Sequence, residues 1–154
     1  MTLQRSVLFV CLGNICRSPL AEAALRDRAV REGLALTIDS AGTGDWHAGN
    51  PPDPRAIAEA RRHGIDIAGY CARQIEERDF ARFAEIYALD PTNLADLRAL
   101  APRRSPARLT LLMDLVPGRE GTAVVDPYYG DAADFARTWA DVSRAAARIV
   151  ERLR

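Results

Sequence analysis

Short apolar runs alternate along the chain with stretches whose apolar residues recur every three to four positions. The runs are rich in branched residues and predict four buried strands, at residues 6–11, 36–38, 85–89 and 108–113. The other stretches predict helices, at residues 18–33, 56–63, 79–83, from 90 onwards and 135–153. Strands that alternate with helices predict an α/β fold, a four-stranded parallel sheet flanked by helices on both faces in a Rossmann-like arrangement.

Two helix starts share one local signal, a capping residue followed by proline. Ser18-Pro19 and Asp90-Pro91 both place the cap just before the first helical position. No repeat or linker interrupts the pattern, so residues 1–154 are predicted to form a single domain. Ligands of such sheets bind at the carboxyl ends of the strands, and the first strand ends at Cys11.

The amino-acid composition excludes several kinds of partner and reaction. Twenty-one basic residues balance twenty-one acidic ones, which argues against nucleic acid or an anionic membrane as a partner. Every basic residue is arginine, so Schiff-base chemistry and a phosphate-loop lysine are excluded. Three cysteines and two histidines predict no metal site, and nothing in the sequence suggests a cofactor. The polar residues 1–6 and the short run after them resemble neither an export signal nor a membrane-inserting segment, which predicts a cytoplasmic protein.

The segment from Cys11 to Ser18, here called the phosphate loop, has the pattern of an anion cradle. Its backbone N–H groups, together with those of the following helix N-terminus, can surround one tetrahedral oxyanion. Arg17 would clamp two phosphate oxygens, and Ser18 can donate its hydroxyl to the Cys11 sulfur. The same positive field favours a thiolate, which makes Cys11 a candidate nucleophile. The residues predicted to contact the phosphate are Leu12, Gly13, Asn14, Ile15, Cys16 and Ser18.

A second candidate segment runs from Asp126 to Asp131 and is here called the acid loop. Asp126 can protonate a departing oxygen and then deprotonate water. Tyr128 and Tyr129 are predicted to line the rim and stack on an aryl substrate. An Asp-Pro pair on its own is common in turns, and it indicates a catalytic acid only because the chain also contains the phosphate loop.

With both motifs in this order and at these ends, the chain resembles the low-molecular-weight protein tyrosine phosphatases. Five further landmarks extend the resemblance over nearly the whole chain: Ser40 to Thr43, Gly49 to Pro51, Arg62 to Ile65, Ala72 to Gln74 and Ala88 to Asp90. The resemblance implies a metal-free enzyme that hydrolyses phosphotyrosine through a phosphocysteine on Cys11. Arg17 would then be the clamp, and Asp126 the general acid and base.

The resemblance also assigns supporting roles. Asn14, Ser18 and Ser40 would hold the phosphate loop by hydrogen bonds, and Trp46 would form one wall of the substrate slot. Tyr70 stands where the family commonly has a loop-holding histidine, so either its hydroxyl replaces that donor or the loop is less rigidly held. Cys16 is either a small buried apolar residue or a redox partner that forms a reversible disulfide with Cys11.

Three alternatives remain. A thiol-dependent arsenate reductase needs two more redox cysteines outside the loop, and only Cys71 is available. A phosphoarginine phosphatase is marked in the family by threonine at the position of Ile15. An inert oxyanion-binding module is disfavoured by intact Cys11, Arg17, Ser18 and Asp126. The predicted partner is a phosphotyrosine protein or aryl phosphate, and relatives suggest a bacterial tyrosine kinase as counterpart.

Overall fold

The computed structural model describes residues 5–154, so what was predicted for residues 1–4 lies outside the described residues. Four strands form one sheet: β1 Ser6–Cys11, β2 Thr37–Gly42, β3 Glu85–Ala88 and β4 Arg108–Leu111. Five α-helices accompany them: α1 Arg17–Arg31, α2 Pro54–Arg62, α3 Asp79–Arg82, α4 Pro91–Leu100 and α5 Ala132–Leu153. The strand order is β2-β1-β3-β4 and each pairing is parallel, which confirms the predicted fold class.

Helices cover both faces of the sheet. On one face, Val7 and Phe9 of β1 pack with apolar residues of α1, α2 and α5. On the other, Leu8 and Val10 pack with Phe80 of α3 and with residues of α4. All six residues of β1 are buried, so the strand that ends at Cys11 is fixed from both sides.

The starts of three helices differ from the sequence prediction, and one of them is α2, which begins at Pro54, two residues early, because Asp53 caps it. Helix α1 begins at Arg17, and the residue before it, Cys16, makes no side-chain cap. Ser18 therefore lies inside the first turn of α1. Its hydroxyl bonds to Cys11 and Asn14 and does not cap the helix. Helix α5 begins three residues early, at Ala132, because Asp131 and Asp134 form a reciprocal capping box.

The ends of three strands also differ, although β3 differs by a single residue and ends at Ala88. Strand β2 continues to Gly42, well beyond the predicted residues 36–38, because the polar Asp39 and Ser40 find hydrogen-bond partners and so tolerate the sheet. Strand β4 stops at Leu111, and Leu112–Leu115 turn into a 3₁₀ helix. An apolar run alone does not distinguish a strand that continues from a strand that turns into a 3₁₀ helix, since leucine is buried in both. No helix among residues 5–154 is long and apolar enough to cross a membrane.

Candidate active site

The phosphate loop connects the carboxyl end of β1 to the first turn of α1. The Cys11 sulfur lies 3.0 Å from the Ser18 hydroxyl oxygen. The backbone N–H of Asn14 donates to the same sulfur over 3.3 Å. Two donors therefore converge on Cys11, which stabilises negative charge on its sulfur.

Asn14 supports the loop from within. Its backbone is left-handed, with φ of 57°, a conformation that asparagine tolerates better than most residues. The side-chain amide donates to Ser18 Oγ over 2.7 Å and to Ser40 Oγ over 3.0 Å. The backbone N–H of Arg73 donates to Asn14 Oδ1, which fixes the orientation of the amide. Since Ser18 accepts from Asn14, its own proton is left for the Cys11 sulfur.

A buried carboxylate ends this hydrogen-bond chain. Ser40 Oγ donates to Glu22 Oε1 over 2.7 Å, and Arg26 Nε donates to Glu22 Oε2 over 2.9 Å. Burial raises the pKa of Glu22, while Ser40 and Arg26 partly oppose that shift. The sequence does not single out Glu22, since a glutamate in an arginine-rich helix predicts only a surface ion pair.

Tyr70 lies beside Glu22 and Arg26. Burial raises the pKa of Tyr70 to about 12, and the negative charge of Glu22 adds to the shift. Within the part of the chain that the structure describes, the Tyr70 hydroxyl makes no hydrogen bond to Asn14, Ser18 or Ser40. Its predicted role as a donor to the loop stays a prediction.

Arg17 is buried at the loop's end and contacts three residues outside the loop. Its guanidinium donates to the carbonyl oxygen of Val124 over 3.4 Å. Nη2 lies 3.0 Å from Asp90 Oδ2 and 3.7 Å from Asp126 Oδ2. Asp90 also caps α4 through its other oxygen, so this carboxylate is fixed before it meets Arg17. The sequence predicted only the cap for Asp90.

Asp126 projects from the acid loop, with 55% of its side chain exposed. The residue before it is anchored to α5, since Val125 N–H donates to Asp141 and its carbonyl accepts from Thr138. The backbone N–H of Tyr128 donates to Asp126 Oδ1 over 3.2 Å. Asp126 is thus placed within reach of Arg17 while remaining open to solvent.

These groups meet in one cavity of about 290 Å³. Its lining consists of Cys11, Leu12, Gly13, Asn14, Ile15, Cys16, Arg17, Trp46, His47, Asp126, Tyr128 and Tyr129. Ser18, Ser40 and Tyr70 do not line it; the two serines lie in the hydrogen-bond network beneath the loop. His47 is the lining residue that the sequence analysis did not assign, because no motif singles it out.

The rim of the cavity is aromatic and exposed. Trp46 is 68% exposed and Tyr129 is 95% exposed. Tyr128 packs edge-on against Tyr129, with ring centroids 4.8 Å apart. A planar apolar ligand can therefore be held between Trp46 and the two tyrosines while its polar end reaches the loop.

Cys16 lies in the loop with a buried thiol. Burial and the nearby carboxylate of Asp53 raise the pKa of Cys16 well above its usual range. Cys16 is therefore a neutral thiol at physiological pH. The three cysteines are free, with Cys71 exposed. Among residues 5–154, no cluster of three histidine, cysteine or acidic side chains could hold a metal ion.

Comparison with known proteins identifies the family. A family profile described as low molecular weight phosphotyrosine protein phosphatase matches residues 6–154. The chain belongs to this family. The low molecular weight protein-tyrosine-phosphatase YfkJ of Bacillus subtilis is 47% identical over 126 residues, which is 80% of this chain and 81% of that protein. The resemblance inferred from the motifs is confirmed, and with it a hydrolase family.

Solved phosphatase-family structures share the fold closely. The crystal structure of Primo-1 matches with a TM-score of 0.91 at 38% identity, covering 96% of this chain and 97% of that one. The structure of DARP, a Drosophila arginine phosphatase, matches with a TM-score of 0.90 at 30% identity, covering 95% and 96%. One of these structural neighbours is thus named an arginine phosphatase.

Proposed function

We propose that this protein hydrolyses phosphotyrosine in protein substrates through a phosphocysteine formed on Cys11. One observation carries the proposal: two segments far apart in the chain, the phosphate loop and the acid loop, bring the Cys11 sulfur, the Arg17 guanidinium and the Asp126 carboxyl to a single cavity. A nucleophile, a phosphate-binding cation and a proton donor are the groups that this reaction requires.

In the first step, the Cys11 thiolate attacks phosphorus, and the bond between phosphorus and the phenolic oxygen breaks. The loop N–H groups and Arg17 stabilise charge on the phosphoryl oxygens. Asp126 gives its proton to the departing phenolic oxygen, so tyrosine leaves neutral. Ser18 and the N–H of Asn14 hold the sulfur through their hydrogen bonds.

In the second step, water attacks the phosphocysteine. Asp126, now a carboxylate, takes a proton from that water, and the sulfur–phosphorus bond breaks. Inorganic phosphate forms, and Cys11 returns to a thiolate. Ser18, which donates to the sulfur, stabilises the leaving thiolate in this step.

The aromatic rim supports an aryl phosphate as substrate. Trp46, Tyr128 and Tyr129 offer flat apolar surface at the mouth of the cavity, where the phenyl ring would lie. Phosphoarginine is the second candidate, because a relative of known structure is named an arginine phosphatase. Ile15 lines the cavity with an apolar side chain, which favours the aryl group over a guanidinium.

The cell context follows from the substrate. A tyrosine kinase must supply the phosphoprotein, and we propose a bacterial kinase of the same compartment as that counterpart. A cytoplasmic location fits a reactive thiol that must stay reduced.

The test is hydrolysis of phosphotyrosine and phosphoarginine peptides in the presence of a metal chelator. We expect phosphotyrosine to be the better substrate and Cys11→Ser to be inactive. Asp126→Asn should slow phenyl phosphate more than 4-nitrophenyl phosphate, because 4-nitrophenolate leaves without a proton. Activity that survives Cys11→Ser, or that the chelator abolishes, would refute the mechanism.

A further inference from the structure

The acid loop forms few hydrogen bonds within itself. Between Val125, which is tied to α5, and Asp131, which caps α5, the loop has neither helix nor strand. Inside it, the Gly130 N–H bonds to the Pro127 carbonyl and the Tyr128 N–H bonds to Asp126. Apart from the Arg17 guanidinium, which lies 3.7 Å from the Asp126 carboxylate, the position of the loop backbone must therefore be fixed by a contact from outside the loop.

Arg55, in the first turn of α2, makes that outside contact. Its Nη2 donates to the Tyr128 carbonyl over 3.0 Å, and its Nη1 donates to the Gly130 carbonyl over 3.3 Å. The guanidinium also lies over the rings of Tyr128 and Phe135, at 5.8 Å and 4.9 Å. Over the described residues 5–154, no other side chain from outside the loop hydrogen-bonds to its backbone between residues 126 and 130.

Arg55 is itself held in place by Asp53. Asp53 Oδ1 accepts from Arg55 Nε over 3.0 Å, and Oδ2 accepts from Nη2 over 2.9 Å. Asp53 also caps α2, and its backbone N–H donates to the Ile15 carbonyl in the phosphate loop. A short path thus runs from the phosphate loop through Asp53 and Arg55 to the acid loop.

We propose that Arg55 is a positioning residue that sets Asp126 relative to the phosphate loop. Tyr128 transmits the effect, since its carbonyl is held by Arg55 while its N–H orients the Asp126 carboxyl. The inference rests on the proposed function, because it concerns the delivery of the Asp126 proton. Arg55 is not among the residues that line the cavity.

The Arg55→Met variant keeps the length of the side chain and removes its fork of donors. We expect kcat/KM for phenyl phosphate to fall about tenfold, a fraction of what a general acid contributes, while 4-nitrophenyl phosphate changes less than threefold. Inhibition by inorganic phosphate should be no weaker than in the wild type, since the phosphate loop is intact. Arg55→Lys, with a single point of donation, should be intermediate. Arg61→Met, on the same helix and exposed, is the matched control and should match the wild type.

A double-mutant cycle separates positioning from a general loss of structure. If Arg55 acts through Asp126, adding Arg55→Met to Asp126→Asn should cause no further loss of kcat/KM for phenyl phosphate. Amide hydrogen exchange gives a readout that does not need turnover, and Arg55→Met should speed exchange in residues 126–131.

The outcomes are distinguishable. A wild-type protein without aryl phosphatase activity would refute the proposed function. An active wild type in which Arg55→Met slows both substrates equally, or adds its full effect to Asp126→Asn, would overturn the role of Arg55. Unchanged exchange in the acid loop would overturn it as well.

Discussion

Replacing Asn14 tests whether the hydrogen-bond network holds the phosphate loop. Asn14 is buried, and its side chain takes part in three hydrogen bonds, to Ser18, to Ser40 and from the Arg73 N–H. Its backbone also occupies the left-handed region, with φ of 57°. Asn14→Gly removes the three bonds without steric strain, whereas Asn14→Ala removes them and adds a Cβ in that region.

The expected magnitudes follow from these contacts. A buried hydrogen bond contributes about 1 kcal/mol, so three bonds give roughly 3 kcal/mol for Asn14→Gly. Left-handed alanine costs roughly 1 kcal/mol more, which gives about 4 kcal/mol for Asn14→Ala. In a domain of this size, 1 kcal/mol shifts Tm by roughly 2–4 °C, so Asn14→Gly should melt roughly 6–12 °C below the wild type.

Urea denaturation and thermal melting measure the free energy of unfolding, and kcat is measured well below the lowest Tm. We expect kcat to fall in both variants, because Ser18 loses the contact that directs its proton to Cys11. An Asn14→Gly variant within about 1 kcal/mol of the wild type, with full kcat, would show that the network does not hold the loop.

Three more predictions test other parts of the structure. At pH 8, iodoacetamide should label Cys71 and leave Cys16 unmodified, because burial raises the pKa of the Cys16 thiol. Mass spectrometry measures the labelling of each cysteine, and rapid modification of Cys16 would contradict its burial. Phe135→Ala should lower the free energy of unfolding by about 3–5 kcal/mol, because the ring is fully buried, whereas Arg148→Ala, in an exposed ion pair, should change it by less than about 1 kcal/mol in the same urea titration. Tyr70→Phe should change kcat less than about twofold, because its hydroxyl lies beside Glu22 and Arg26 and makes no hydrogen bond to Asn14, Ser18 or Ser40 among the described residues; a tenfold loss would support the role in loop binding predicted from the sequence.

The sequence predicted those features that depend on local pattern. The apolar run of β1, the Asp90-Pro91 start of α4 and the amphipathic course of α5 all lie where the pattern placed them. The phosphate loop is also local, since the strand, the loop and the helix start follow one another in eight residues.

The features that were missed depend on contacts between distant segments. Glu22 bonds to Ser40 across the interface of α1 and β2, and Arg55 reaches carbonyls more than seventy positions later in the chain. Spacing within one element carries no signal for such pairs. Ser18 was assigned as a helix cap for a related reason, since a serine before proline has the same local pattern whether its hydroxyl caps a helix or bonds to a buried sulfur.

The two ion pairs of Arg17 affect the release of product. Its guanidinium is shared between the carboxylates of Asp90 and Asp126. Phosphate that enters the cavity competes with both for a single cation, so part of its attraction to Arg17 is offset by the contacts it weakens. A phosphate site built from uncontested arginine would bind its own product tightly and clear slowly. Asp90, and Asp126 whenever it is ionised, therefore oppose the attraction of phosphate to Arg17 and lower the affinity of the cavity for its product.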